Sequence, residues 1–398
     1  KVVVMFSSST ARFGRKGQVD YAVANEILNK IAQQEQNKRS DCRVLSVNWG
    51  PWDGGMVTPQ LKKLFESEGV GVIPLKAGAN YLLDEISSAG PVEVVVLGSE
   101  LVSEEETQYA QNEKSLHLVI ERQLNVSEYP VLKSHVMNGK AVLPAALITE
   151  WLAHGAMHNH PGLSFLGLND FRILKGVVIE AEEEINLQIM ASQSVMVGEE
   201  DRVHIEIRNG AILHASAEVV LGTAYVAKPV SKIKKVSGEY PFTNKEYYSN
   251  GQLFHGPALQ CIETIDACCA EGISGHSLSA PSPTEWMTQP MRSTWLADPM
   301  ILDASFQMMI LWSFQQSNTA SLPTRIASYR QFQSRLPKDG ASLNIKIIKV
   351  GQHSATAIID ILDKQQKLVA RIEGYECVID ASLNEAFKRN TLEQSVKA

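Results

Sequence analysis

Two stretches of this sequence are apolar almost all the way round a helix: PAALITEWLAHGAM, from about Pro144 to Met157, and PMILDASFQMMILWSF, from about Pro299 to Phe314. A surface helix shows a single apolar stripe, so a helix lacking a polar face has to be enclosed on every side. The neighbouring segments supply the enclosure. INLQIMAS, RVHIEIRN, AILHASAEVVL, NIKIIKV, SATAIIDILD and KLVARIEGYECVID each alternate apolar with polar residues, the period of a strand that lays one face on a core. Two strand groups, each with one enclosed helix, predict an α+β domain made of two units in which a curved sheet wraps a helix. Residue identity between the halves is too low to be read as a repeat.

The first hundred residues follow another rule. VVVMFSSS, RVLSVNWG and VEVVVLG read as buried strands, with helical spacing from Asp20 to about Gln36 and again around Leu61 and Ala79. Strands alternating with helices predict a partial Rossmann-like α/β segment with a parallel sheet. Ser103 and Glu106 form a capping-box signature at the start of a polar, acidic stretch, and a helix is expected from about Glu113 to Leu124. The expected division is 1–99 for the α/β segment, 100–112 for a linker, 113–385 for the α+β domain and 386–398 for a tail. Lys1 runs straight into an apolar strand, so the chain reads as an excerpt of a longer polypeptide.

At 398 residues the chain is too long for one hydrophobic core. A formal net charge of -7 with no basic cluster argues against nucleic acid as a partner. No apolar run is long enough to span a membrane and no leader precedes the first strand, so a cytoplasmic location is expected. The five cysteines, Cys42, Cys261, Cys268, Cys269 and Cys377, are scattered without metal-finger spacing, which fits a reducing compartment. Cys268 and Cys269 read as small residues of a packed strand.

The chemistry gathers around the two enclosed helices. HVMNGKAVLP sets His135, Gly139 and Pro144 directly before the first, in the pattern HxxxGxxxxP. A lone histidine there is usually structural; glycine and proline at fixed offsets reverse that balance. An imidazole titrates near neutrality and can take a weakly acidic proton from beside a carbonyl. The glycine is expected to let backbone approach a substrate closely, and N–H groups at the helix start after Pro144 to hold a developing enolate oxygen. On the second helix Asp303 and Gln307 lie one turn apart on one face. A carboxyl on so apolar a helix is costly unless paired or kept protonated, and a protonated one can donate to a departing hydroxyl. Taken alone, Asp303 reads equally well as a cap or a buried ion pair.

Taken together, in this order and roughly 170 residues apart, about one domain's span, the motifs resemble those of dehydratase domains from type I polyketide synthases and polyunsaturated fatty acid synthases. That family pairs HxxxGxxxxP on a first hot-dog unit with Dxxx(Q/H) on a second. His135, Gly139 and Pro144 match the former, and Asp303 with Gln307 the latter. FHGPALQ is similar to a third motif, GYGPxF: Gly256 and Pro257 are retained, while His255 stands for the tyrosine and Leu259 for the phenylalanine. The resemblance covers about Asn112 to Asp380.

It implies a double hot-dog fold, with His135 as base, Asp303 as acid, and Gly139, Pro144, His255, Gly256, Pro257 and Gln307 in support, without metal or cofactor. The implied substrate is a β-hydroxyacyl chain on the phosphopantetheine of an acyl carrier protein, which loses water to give a trans-enoyl chain. The implied setting is a large synthase, homodimeric, with other catalytic domains alongside. Two other readings stay open: a product-template-like domain that guides cyclisation, and a non-catalytic hot-dog scaffold for dimerisation and carrier docking.

FSSSTARFGRKGQVDYAVANE resembles the end of a short-chain-dehydrogenase-type ketoreductase, with Ser8 binding the carbonyl, Tyr21 donating the proton and Asn25 ordering the relay. NWGPWDGGMVTP, with Trp49, Pro51 and Thr58, resembles the segment that closes over a nicotinamide. The glycine-rich turn for the dinucleotide and the relay lysine are not in this sequence. NADPH is therefore expected to serve the complete ketoreductase only, and this chain to reduce no ketone by itself. His154, His158 and His160 are not expected to hold a metal, and His204 and His214 read as ordinary strand residues. Arg325, Arg330 and Arg335 read equally as a solvated face or as a surface for an acidic carrier protein.

Overall fold

The computed structural model describes residues 1–15, 17–39, 41–54, 57, 61, 65, 71–87, 90–98, 116–226, 229–231, 233, 236–242 and 245–393. The capping box at Ser103 and Glu106, Thr58, and most of the segment around Leu61 lie outside the described residues. The chain divides into two compact units, one of Lys1–Glu113 with His160–Leu163 and one of Lys114–Asn159 with Ser164–Ala398.

In the first unit three parallel strands, β1 (Val2–Ser8), β2 (Arg43–Trp49) and β3 (Glu93–Val96), lie in the order β1-β2-β3. β2 is in the middle, and six of its seven residues are buried, the apolar ones as expected of a strand covered on both faces and the polar Ser46 and Asn48 through hydrogen bonds to Asn29 and Ser7. Helices α1 (Ser9–Phe13), α2 (Val19–Lys38) and α3 (Leu75–Ser87) connect the strands, giving the expected α/β alternation.

The second unit is an antiparallel sheet of eleven strands with two enclosed helices. The strands are β4 (His117–Leu124), β7 (Ser164–Ile173), β9 (Ile185–Val197), β10 (Glu200–Asn209), β11 (Ile212–Gly222), β12 (Ile262–Cys269), β13 (Gly272–Ser277), β14 (Ser321–Gln331), β15 (Ala341–Val350), β16 (Ser354–Leu362) and β17 (Leu368–Ile379). A small sheet of β5 (Val136–Met137), β6 (Lys140–Val142) and β8 (Val178–Ile179) stands apart. The helices are α4 (Ala145–His158) and α5 (Pro299–Ser317), and the residues of both are buried except near their C-terminal ends.

Strand order displays the duplication that residue identity hides. Outward from the central β7/β14 pair, one side runs β7-β11-β10-β9-β4 and the other β14-β17-β16-β15-β13, with β12 outermost. Each side has the same chain order: an outer strand, the helix, the central strand, then a three-stranded meander. These are two hot-dog units joined edge to edge. At the seam Gly167 (φ +149°) presses against β14, where a Cβ would lie 2.0 Å from the Tyr329 carbonyl oxygen. Arg325 and Arg330 are committed to this seam. Arg325 pairs with Asp170 at 2.6 Å and Glu376 at 2.8 Å, and Arg330 donates to the Leu168 and Tyr329 carbonyls, so a free arginine face is not what this strand presents.

Two expectations are corrected. Residues 117–124 form strand β4, paired along β9, in place of a linker helix. Leu116, Ile120 and Leu124 have helical spacing, yet an open sheet edge beside them decides the conformation. The segment read as a tail from 386 is held down instead: helix α6 (Ser382–Lys388) buries Phe387 completely, and the backbone stays bonded to the domain as far as Glu393.

Candidate active site

The spacing of HxxxGxxxxP is that of a β-hairpin followed by a helix. Val136 pairs with Ala141 and Met137 with Lys140, and beyond them Val142 N–H donates to the His135 carbonyl at 2.9 Å. Asn138 (φ +52°) and Gly139 (φ +78°) are the two turn residues, both left-handed, as a tight hairpin turn of Asn-Gly type demands. Pro144 then caps α4 in extended conformation. The reason for Gly139 thus differs from the expected one: its N–H donates to the Arg389 carbonyl, its carbonyl accepts from Glu393 N–H, and a Cβ would meet the Glu393 carboxyl. It faces the C-terminal segment.

The hairpin also sets the imidazole. His135 Nδ1 donates to the Val142 carbonyl at 2.7 Å; a carbonyl only accepts, so Nδ1 carries the proton and the Nε2 lone pair is open. The ring is buried, which lowers its pKa to about 4 against the opposing pull of the Val142 bond, so it is neutral at pH 7.

Asp303 projects from α5, whose start is fixed by Asp298 accepting from the N–H groups of Met300 and Ile301, with Pro299 in the first turn. It is 3% exposed. Gln307 Nε2 donates to its Oδ2 at 2.7 Å, and the Cys261 thiol lies 3.8 Å from the same oxygen. Burial outweighs both bonds and raises the carboxyl pKa to about 7. Gln307 is itself pinned: its amide donates to the Leu259 carbonyl, and its oxygen accepts from the Tyr248 hydroxyl at 2.6 Å.

The FHGP segment bridges these two groups. His255 pairs with His135 as an isolated antiparallel bridge, Gly256 N–H donates to the Ser134 carbonyl at 2.8 Å, and Ala258 N–H donates to the Ser134 hydroxyl. A Cβ on Gly256 would lie 3.0 Å from Ser134 Cα, so glycine permits the approach. Pro257 starts a short 3-10 turn, Pro257–Leu259, that delivers the Leu259 carbonyl to Gln307. His255 Nε2 lies 3.5 Å from Asp303 Oδ2, while its buried Nδ1 has no partner. Burial, reinforced by the neighbouring His135, holds the His255 pKa well below its usual value. Phe254 stacks on His255 at 4.0 Å and meets His135 edge-on at 4.8 Å, and Phe387 packs behind it.

The fold therefore brings together His135, His255 and Asp303, one ligating atom of each lying within 4.8 Å of the others. Gln307 bonds Asp303 directly, Gly256 and Pro257 contact the cluster's scaffold, Gly139 shapes the hairpin and Pro144 caps α4. Phe254, Tyr248, Cys261 and Glu150 belong to the framework and escaped the sequence reading. Tyr248 carries no sequence signal. Glu150 does: it lies one turn before His154 on an apolar helix, the same rule that singled out Asp303. Glu150 accepts from His154 Nε2 at 2.9 Å and from the N–H groups of Leu296 and Ala297, which lead into α5.

In the first unit, Asn25 Nδ2 donates to the Tyr21 carbonyl at 2.8 Å, Ser8 caps α1 by accepting from Thr10 N–H, and the Tyr21 side chain is half exposed. Trp49 lies 4.6 Å from Trp52.

The family described as polyketide synthase dehydratase domain matches residues 107–209, that described as polyketide synthase dehydratase N-terminal domain matches 239–379, and the KR domain family matches 1–54. The chain carries a dehydratase domain of the polyketide synthase family. Ahead of the dehydratase is a ketoreductase segment. Over 372 residues the chain is 29% identical to a polyunsaturated fatty acid synthase polypeptide of Thraustochytrium sp., a match covering 89% of this chain and 12% of that protein. Polyketide synthase GfsA of Streptomyces halstedii matches over 89 residues at 42% identity, covering 21% of this chain and 1% of its own. The chain thus spans a small part of both relatives.

The dehydratase fold is similar to the dehydratase domain from the CurF module of curacin polyketide synthase, with TM-score 0.53, 17% identity, and coverage of 65% of this chain and 92% of that one. It is also similar to the dehydratase domain of a mycocerosic acid synthase-like polyketide synthase, with TM-score 0.52, 18% identity, and coverage of 67% and 93%. Among the described residues no helix is long and apolar enough to cross a membrane.

Proposed function

We propose that the dehydratase removes water from a β-hydroxyacyl thioester carried on the phosphopantetheine of an acyl carrier protein. The observation that carries this reading is the meeting, in one buried cluster, of an imidazole that is neutral at pH 7 and a carboxyl whose pKa burial raises to about 7. His135 Nε2 takes the proton from the carbon beside the thioester. The Cα–H electron pair becomes the double bond, the Cβ–O bond breaks, and the Asp303 proton goes to the departing hydroxyl, which leaves as water. Return of the proton from His135 to Asp303 resets the pair. Gln307 holds the Asp303 carboxyl in place, and His255 neighbours both acid and base. At the N-terminal end of helix α4 the first N–H groups, those of Ala145 to Leu147, have no acceptor within the helix and would be available to a thioester oxygen as it gains charge.

We further propose that the parent protein is a cytoplasmic, homodimeric synthase with other catalytic domains, and that its complete ketoreductase uses NADPH.

Incubation of the chain with a short β-hydroxyacyl thioester tests the reaction: the expected product has lost one water and gained enoyl absorbance, whereas cyclised or unchanged substrate overturns the reading. His135→Phe and Asp303→Asn are each expected to lower turnover by about 10³-fold or more while remaining folded. The base works when neutral and the acid when protonated, so kcat/KM is expected to be bell-shaped, falling below about pH 4 with His135 and above about pH 7 with Asp303.

A further inference from the structure

We propose that His135, His255 and Asp303 also form a site for a zinc-class divalent transition metal, which takes the place of the β-hydroxyacyl group and holds the dehydratase off. Two imidazoles and one carboxylate are the donor set of open zinc sites, with three protein ligands and a fourth position left for water. Nitrogen donors favour zinc, copper or nickel over magnesium or calcium, which prefer oxygen alone. The dimensions are close to those required. With zinc about 2.0–2.2 Å from each donor, neighbouring donors in a tetrahedron stand roughly 3.4 Å apart. His255 Nε2 and Asp303 Oδ2 stand 3.5 Å apart already. His135, within 4.8 Å of both, has to draw in by up to about 1.4 Å.

Two of the three ligands already have the outer partners that a metal site needs. The Val142 carbonyl fixes the His135 ring through Nδ1 and leaves Nε2 for a ligand, and Gln307 orients the carboxylate. His255 has its closest polar neighbour at 3.5 Å and nothing on Nδ1, so no strong bond must break for it to coordinate. His135, at 7% exposure, is the most open of the three.

Binding stands on this geometry by itself, whereas inhibition rests on the dehydration reading above. The metal-free chain is titrated with Zn²⁺ against a chromophoric chelator, and with Co²⁺ by absorption. One ion per chain is expected, with affinity weakened by about tenfold or more in His255→Phe and in Asp303→Asn, and unchanged in His204→Ala, at an exposed position of β10. Circular dichroism checks that each variant is folded, and His135→Phe serves where one of the other two is not. Affinity within about threefold of the parent in folded variants overturns the site, as does a Co²⁺ spectrum with thiolate charge transfer, or no binding. Zn²⁺ is expected to raise the apparent KM for a β-hydroxyacyl thioester and leave kcat unchanged. Binding with these dependences but no dehydration in metal-free chain leaves the site standing and removes the proposed function. Dehydration without zinc binding does the reverse.

Discussion

The two enclosed helices each bury one carboxylate, and their surroundings differ. On α4, Glu150 accepts from two backbone N–H groups, one of them shared between both oxygens, and from the His154 ring. On α5, Asp303 receives one amide N–H and a distant thiol, with an imidazole at 3.5 Å. A buried carboxylate whose lone pairs are filled is a joint in the structure; one left short of donors keeps its proton and is available for chemistry. The same hot-dog unit, used twice, has put a joint in the first copy and the proposed acid in the second. The joint serves the acid, because the N–H groups that Glu150 holds lie just before Asp298, the cap of α5.

The largest effect expected from breaking this contrast is at the joint. Glu150→Ala leaves the part-buried Leu296 and buried Ala297 N–H groups without their acceptor and is expected to cost about 3–5 kcal/mol in denaturant unfolding. A loss below about 1 kcal/mol would mean that the carboxylate is not fastening the helices.

The acid should behave in the opposite sense. Its pKa is 3.8 by the ordinary reference and about 7 when folded, so the folded chain holds an extra proton between those values and loses stability as pH rises through them. Above pH 7 that loss amounts to at most about 4 kcal/mol. Asp303→Asn is therefore expected to be more stable than the parent at pH 8, with the gain shrinking to nothing by pH 4. Equal stabilities at pH 8 would show that Asp303 is better satisfied than its contacts indicate.

The smallest effect belongs to Gln307, whose bond favours the charged carboxylate and so works against burial. Gln307→Leu removes it, the Asp303 pKa rises further, and the alkaline limb of kcat/KM is expected to move to higher pH. An alkaline limb that stays in place or falls would assign that limb to another group.

Much of this arrangement was legible in residue order. The enclosed helices follow from their lack of a polar face, and they place His135 just before one and Asp303 within the other. What stayed illegible depended on contacts between distant segments. β4 keeps a helical spacing that only its pairing with β9 overrides. The work of Gly256 appears only beside Ser134, more than a hundred residues earlier, and Tyr248 becomes meaningful only once its hydroxyl reaches Gln307. Phe387, beyond the expected domain end, closes the aromatic stack behind His255.

The ladder from His135 to Val142 has one further consequence. It works as a ruler: the paired positions on either side of Asn138 and Gly139 count off the distance at which the ring finds its carbonyl. Side chains along such a ribbon alternate between its faces, so inserting a single residue would turn the imidazole away from the carboxyl, however well the composition were preserved. At this place length is a stricter requirement than identity.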